Sequence, residues 1–201
     1  MTMGIRNKLL EEIRNLLAGG STSLSVEYTN IGTFASTATQ SPTGLGSAGK
    51  VQVSFGAGGT TSGGEFTIDP DGTINTNLNG IQYTFDIVIR PARLGASGIS
   101  IVMARFLYSA DGTRTDTVQV GDTFSVEIDN ANTIWRESFN GTFSPAVGSQ
   151  LWLEVARDEA GDDSGELRAD QPTGTLVADA PAWNQVATAR VEISKLSVVP
   201  S

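Results

Sequence analysis

Ile81, Tyr83, Phe85, Ile87 and Ile89 take every second place in GIQYTFDIVI (80–89), with Gln82, Thr84 and Asp86 between them. That period of two predicts a strand with one face in a core and the other in water. DTFSVEID (122–129) alternates in the same way. ISIVMARFLY (99–108) does not: Ile99, Ile101, Met103 and Leu107 fall on one side and Val102, Ala104, Phe106 and Tyr108 on the other. A strand apolar on both faces needs cover on both. The second cover is either another subunit or a loop or helix of the same chain. Trp152, between Leu151 and Leu153 in LWLEV, raises the same question because it is expected to face away from its two neighbours.

Apolar or alternating runs also occur near 23–29, 50–55, 64–69, 114–120, 123–129, 132–139, 150–157 and 186–196, separated by Gly, Asn, Asp, Ser or Pro. Many short strands with no helices between them predict an all-β antiparallel sandwich or barrel. GAGGTTSGG (56–64), PDG (70–72) and ADG (110–112) have turn chemistry. Residues 31–49, small and polar, read as a loose loop or connector. One helix is expected, over residues 4–18: Ile5, Leu9, Ile13, Leu16 and Leu17 supply an apolar side, and Gly19-Gly20 a stop. About four turns are marginal alone, so the stripe needs a partner. Its own body, another protein or a short bundle at an oligomer axis would each serve.

Composition narrows the chemistry. The chain of 201 residues has no Cys and no His, which removes disulfides, thiolate nucleophiles, Ser/His and Cys/His catalysis and His-rich zinc sites. Twenty-two acidic against thirteen basic residues give a net charge of -9, so no basic field exists to release counterions from a nucleic acid. No run approaches eighteen apolar residues, and Arg6, Lys8, Glu11 and Glu12 stand where a signal peptide has its apolar core; neither a membrane span nor standard secretion is expected.

The densest carboxylate cluster, RDEAGDDSGELRAD (157–170), reads as a solvated loop, with a calcium site as the functional alternative. DPDG (69–72) lacks a Glu at the twelfth position of a calcium loop, since Gly80 stands there, and reads as a turn. Asn140-Gly141-Thr142 is formally a glycosylation sequon and, without a secretory signal, also reads as a turn. GLGSAG (44–49) has the wrong spacing for a phosphate-binding loop. Trp135, Trp152, Trp183, Tyr28 and Tyr108 are candidates by type for a sugar platform, against core or interface packing. No cofactor, metal site or catalytic residue is expected.

The order of the strands resembles the jelly roll of the C1q and tumour-necrosis-factor superfamily. GEFTIDPDGTI (64–74) is similar to that family's paired early strands, GIQYTFDIVI to its Gly-x-Tyr-x-Phe strand, and ISIVMARFLYSADGT to the strand that follows. GDTFSVEID, GSQLWLEV and ATARVEISKLSVV resemble the later strands. The resemblance covers about residues 50–198 and implies a tight homotrimer, in which Tyr83, Phe85, Val102, Phe106, Tyr108 and Trp152 take core or trimer-interface positions. Jelly rolls of this kind also occur as trimeric knobs and decorations on phage virions. Without a collagen stalk, signal peptide or Cys, a short helix before a Gly/Ser/Thr-rich connector is more similar to a phage appendage than to an animal secreted relative.

The expected organisation is therefore a helical anchor (1–20), an extended arm (21–49) and a jelly-roll trimerisation domain (50–201). The expected role is a non-enzymatic virion protein, either a capsid decoration (cement) protein or a head fibre. Its partner would be the major capsid protein or another virion structural protein. The alternative is a tail-fibre tip that recognises host surface glycans.

Overall fold

Alternation in β6 (Tyr83–Ile89) is realised side chain by side chain: Tyr83, Phe85, Ile87 and Ile89 are buried, Asp86 is exposed, and Thr84 and Val88 lie between these extremes. The computed structural model describes residues 24–77, 82–93, 98–130, 133–158, 165–170 and 183–200. The helix expected over 4–18, with Ile5, Leu9, Ile13, Leu16 and Leu17, lies outside the described residues, as do Ile81 and residues 159–164 of the acidic stretch.

Thirteen strands are described. After β1 (Leu24–Ser36) come β2 (Val51–Gln52), β3 (Gly59–Thr60), β4 (Phe66–Ile68) and β5 (Ile74–Thr76). Beyond β6 lie β7 (Pro91–Arg93), β8 (Ser100–Ser109), β9 (Val118–Ile128) and β10 (Glu137–Phe143), then β11 (Gln150–Arg157), β12 (Gly165–Leu167) and β13 (Ala189–Pro200). One sheet has the order β1-β13-β6-β10. The other runs β3-β4-β5-β11-β8-β9, with β2 paired to β11, and β7 and β12 form a separate small ribbon. All the strand pairs are antiparallel, and the chain crosses from one sheet to the other between β5 and β6, β6 and β8, β9 and β10, β10 and β11, and β11 and β13, a jelly-roll-like sandwich.

The core lies between the two sheets. Phe66 meets Tyr83 and Phe85 edge-on at 4.7 and 5.7 Å, and Leu151, Leu153 and Val155 of β11 oppose Val191 and Ile193 of β13. Edge-to-face rings and interdigitated aliphatics give the density expected of a sandwich interior.

Three segments depart from the pattern reading. Residues 31–36 do not belong to a connector: they complete β1, paired with β13 through Ser36↔Ala189. A bulge between Asn30 and Gly32 shifts the phase of this strand, so Ile31 is buried while no period of two survives in the sequence. A β-carbon on Gly32 would lie 2.9 Å from the Phe34 ring, so glycine here makes room for that ring. Secondly, 114–120 and 123–129 are not two strands. Residues 118–128 form β9, bulged opposite Arg105, with Gly121 at φ 70°. Thirdly, the described part of 157–170 is not all solvated loop: Gly165–Leu167 pair with β7, and Glu166 is only 3% exposed.

Candidate functional site

β9 and β10 are the last strands of their respective sheets, and they lie on the same side of the sandwich. Between them opens a cleft of about 290 Å³ lined by five phenylalanines, Phe85, Phe106, Phe124, Phe139 and Phe143, together with Ile87 and Val120. Phe124 of β9 and Phe139 of β10 stack across it with centroids 4.1 Å apart. Deeper, Phe85 meets Phe106 at 6.0 Å, and at one end Tyr108 meets Phe143 edge-on at 4.7 Å. Gly121, Asp122, Asn140, Gly141 and Thr142 form the rest of its lining. Half-buried aromatic rings beside strand edges that have no ladder partner among the described residues offer apolar area and backbone hydrogen-bonding groups together.

Of the six side chains expected at a core or interface, Tyr83, Phe85, Val102 and Trp152 are buried within the single chain. Phe106 and Tyr108 are half-buried at the cleft and its end. Phe124, Phe139 and Phe143 were missed. Their alternation is legible in sequence, but nothing in one strand says that it is the last in its sheet.

Trp152 does face away from Leu151 and Leu153, and its cover comes from its own chain. The loop between β8 and β9 brings the Arg114 guanidinium over the indole, 4.4 Å from its centroid. Arg114 Nε, Nη1 and Nη2 donate to Gln150 Oε1, Gln52 Oε1 and Thr73 Oγ1 at 3.1, 3.0 and 2.7 Å. Asp111 and Asp116 build that loop: Asp111 accepts from the Thr113 amide and from the Thr113 and Thr115 hydroxyls, and Asp116 from the Ala110 and Asp111 amides. The Thr113 hydrogen bonds hold the Asp111 carboxyl well below the usual carboxylate range.

Ionisable groups elsewhere are engaged in structure. Glu154 accepts from Arg105 Nη2 at 2.8 Å and lies 3.2 Å from Lys50 Nζ. Burial alone would raise its pKa; the hydrogen bonds from Arg105 and Lys50 outweigh it and lower the value. Lys195 Nζ lies 3.0 Å from Glu65 Oε1, which raises the lysine pKa, while burial and the Glu65 charge raise that of Tyr83. A phenol held neutral and carboxylates locked to cations are poor bases and nucleophiles. Among the described residues no three Asp or Glu side chains converge as a metal site.

Trp135 and Trp183 are 43% and 61% exposed and belong to neither the core nor the cleft lining.

No protein-family model matches the chain, and no curated protein does. Solved structures show a distant likeness. The Eiger TNF from S. frugiperda aligns with a TM-score of 0.40 at 10% identity, covering 87% of this chain and 96% of that one. A Clostridium thermocellum xylanase 10B fragment with CBM22-1 and GH10 modules, complexed with xylohexaose, gives 0.29 at 8% identity over 87% of this chain and 29% of that one. The infectious bursal disease virus Gx strain structure gives 0.28 at 16% identity over 89% and 41%. Likeness at this level carries no inference about what the chain does.

Proposed function

We propose that this is a non-enzymatic structural protein whose jelly-roll body assembles as a homotrimer, displayed on a virion as a capsid decoration or head-fibre protein and attached through residues 1–20. The observation that carries the self-assembly is the cleft between β9 and β10, with Phe106, Phe124, Phe139 and Phe143 half-buried between two strands that have no outer ladder partner among the described residues. A second copy packed against it would remove these rings from water at roughly 25 cal/mol per Å² of apolar area. Closed cyclic symmetry would use one such contact per subunit.

The experiment is light scattering after size exclusion on the full chain. The expected mass is three times the monomer's, and Phe124→Asp at the cleft mouth is expected to shift it toward one copy while the circular dichroism stays that of a folded sheet protein. A monomer at tens of micromolar would overturn the reading, as would a trimer indifferent to Phe124→Asp. Exposure of Trp135 and Trp183 favours a second reading, a fibre tip that recognises host glycans. A glycan array and whole-cell adsorption distinguish the two.

A further inference from the structure

The bulge at Ile31 has a counterpart in β13. Ala189, Val191 and Ile193 are buried, so the odd positions of β13 face the core, and Lys195 keeps that phase by reaching Glu65. The apolar positions do not keep it: after Ile193 they fall at Leu196 and Val198, in the outer phase shared with Arg190 and Glu192. In β1 the extra residue at Ile31 makes the same change. Phe34 and Ser36 have the phase of the core, while Tyr28, paired with Leu196, is left 63% exposed by the described residues. Val26↔Val198 and Leu24↔Pro200 follow at two and four positions, and positions two apart share a face. Two neighbouring strands thus move their apolar positions from the inner to the outer face at the same place in the ladder.

Elsewhere the outer face of this sheet is polar: Thr33, Asp86, Ser138 and Arg190 are exposed there. At this end it is apolar, and the sheet thins to two strands. The bond from the Leu196 amide to the Gln82 carbonyl, at 3.0 Å, is the last that joins β13 to the β6 side among the described residues. A two-stranded ribbon is marginal unless a further strand or a helix packs on its apolar face. The chain before Leu24 supplies the occupant. Residues 4–18, whose apolar stripe also needs a partner, end five residues from the ribbon. Residues 19–23 can span up to about 17 Å, enough for a helix to turn back over it. As a helix the stripe is about 18 Å long between Ile5 and Leu17, against about 14 Å for residues 24–28 of β1. Charge does not oppose the contact: the first 20 residues carry three basic and two acidic side chains, and the remainder ten and twenty.

We propose that the outer face of this β1/β13 end is the seat of the chain's own residues 4–18, which pack there as a helix through Leu9, Ile13, Leu16 and Leu17. The seat itself does not depend on any particle. Resting on the attachment reading above, it has a further consequence: one stripe cannot lie on the seat and on a particle at once. The seat therefore covers the attachment segment in the free protein and yields it on binding.

The chain has no Cys, so introduced thiols report on their own positions alone. In the free full chain, Tyr28→Cys is expected to react with a water-soluble maleimide at least about tenfold more slowly than Thr33→Cys on the same face, because labelling must wait for the segment to leave. Deleting residues 1–20 is expected to abolish that difference. Ile13→Cys combined with Leu196→Cys is expected to close a disulfide within one chain under mild oxidation. Glu11→Cys combined with Leu196→Cys, on the opposite side of the helix, is not. Labelling of Tyr28→Cys unchanged by the deletion overturns the seat, and so does a disulfide that joins two chains instead of closing within one. The oxidised Ile13→Cys/Leu196→Cys chain is then expected to lose retention on the particle and to regain it on reduction. Full retention while locked overturns the exchange and leaves the seat standing, whereas full retention of the chain lacking residues 1–20 rejects the attachment reading itself.

Discussion

Arg114 has φ 65°, the left-handed conformation that costs an L-residue about 1–2 kcal/mol. The side chain is what the strain secures: it covers Trp152, which is only 3% exposed, and ties β11 to Gln52 and Thr73. Arg114→Ala and Arg114→Gly both remove that cover and a cation–π contact of about 0.5–1 kcal/mol, but glycine also relieves the backbone. The alanine variant is therefore expected to be the less stable of the two by about 1 kcal/mol in urea unfolding, and both should shift Trp152 emission to the red. Equal stability would mean that the φ is relaxed. Glu154 gives a pH dependence of definite sign. Its folded pKa is depressed, so its contribution is fully present above the unfolded carboxylate value near 4.3 and fades as pH falls through the lower folded value. Glu154→Gln is expected to be less stable than the parent at pH 7, with the gap narrowing below about pH 4. A gap constant with pH would remove the ion pairs to Arg105 and Lys50 as its cause.

At the scale of strands, the bulge in β9 concentrates what is unusual about the cleft. Gly121 sits at φ 70° with open space where a β-carbon would go, whereas Gly141 of β10, across the cleft, has open space and no positive φ. Gly121→Ala is expected to cost about 1 kcal/mol through backbone strain alone, and Gly141→Ala to be close to neutral; thermal unfolding of the pair separates strain from crowding. The same bulge marks where sequence patterning stops being informative. β6 and β11 are legible because every residue keeps its phase over the whole strand. β9 reads as two strands because its phase breaks between Val120 and Phe124, and the end of β1 reads as loop because Ile31 and Gly32 break it there. The double apolar pattern of β8 was legible, but its meaning depended on neighbours in space: Trp152, the β11 partner of Leu107, is covered by Arg114 of the same chain, while the other face buries Val102 and Ala104 in the sandwich core and leaves Phe106 and Tyr108 half-buried at the cleft and its end. Phe124 and Phe139 were visible as apolar positions, yet their role follows from being on last strands, which only the sheet order gives.

For the molecule as a whole, charge and apolar surface are divided unevenly along the chain. The first 20 residues carry three basic and two acidic side chains, leaving ten basic and twenty acidic side chains for the remainder. On the proposed reading, a short net-basic apolar stripe (Ile5, Leu9, Ile13, Leu16, Leu17) holds an acidic body to a particle, and a single copy of so short a segment would hold weakly. Trimerisation of the body would place three stripes on one rigid support, where the second and third contacts form at high effective concentration and raise avidity by about 10² or more. Deleting residues 1–20 is then expected to leave a folded trimer, since β1 begins at Leu24 and the cleft lies far along the chain, between β9 and β10. That trimer should no longer bind the particle in co-sedimentation. Phe124→Asp in the full chain should lose most of its retention on the particle while keeping the attachment segment intact, because only avidity has been removed. Full retention by the truncated trimer would reject attachment through the N-terminal region, and full retention by the cleft variant as a monomer would reject the dependence of attachment on assembly.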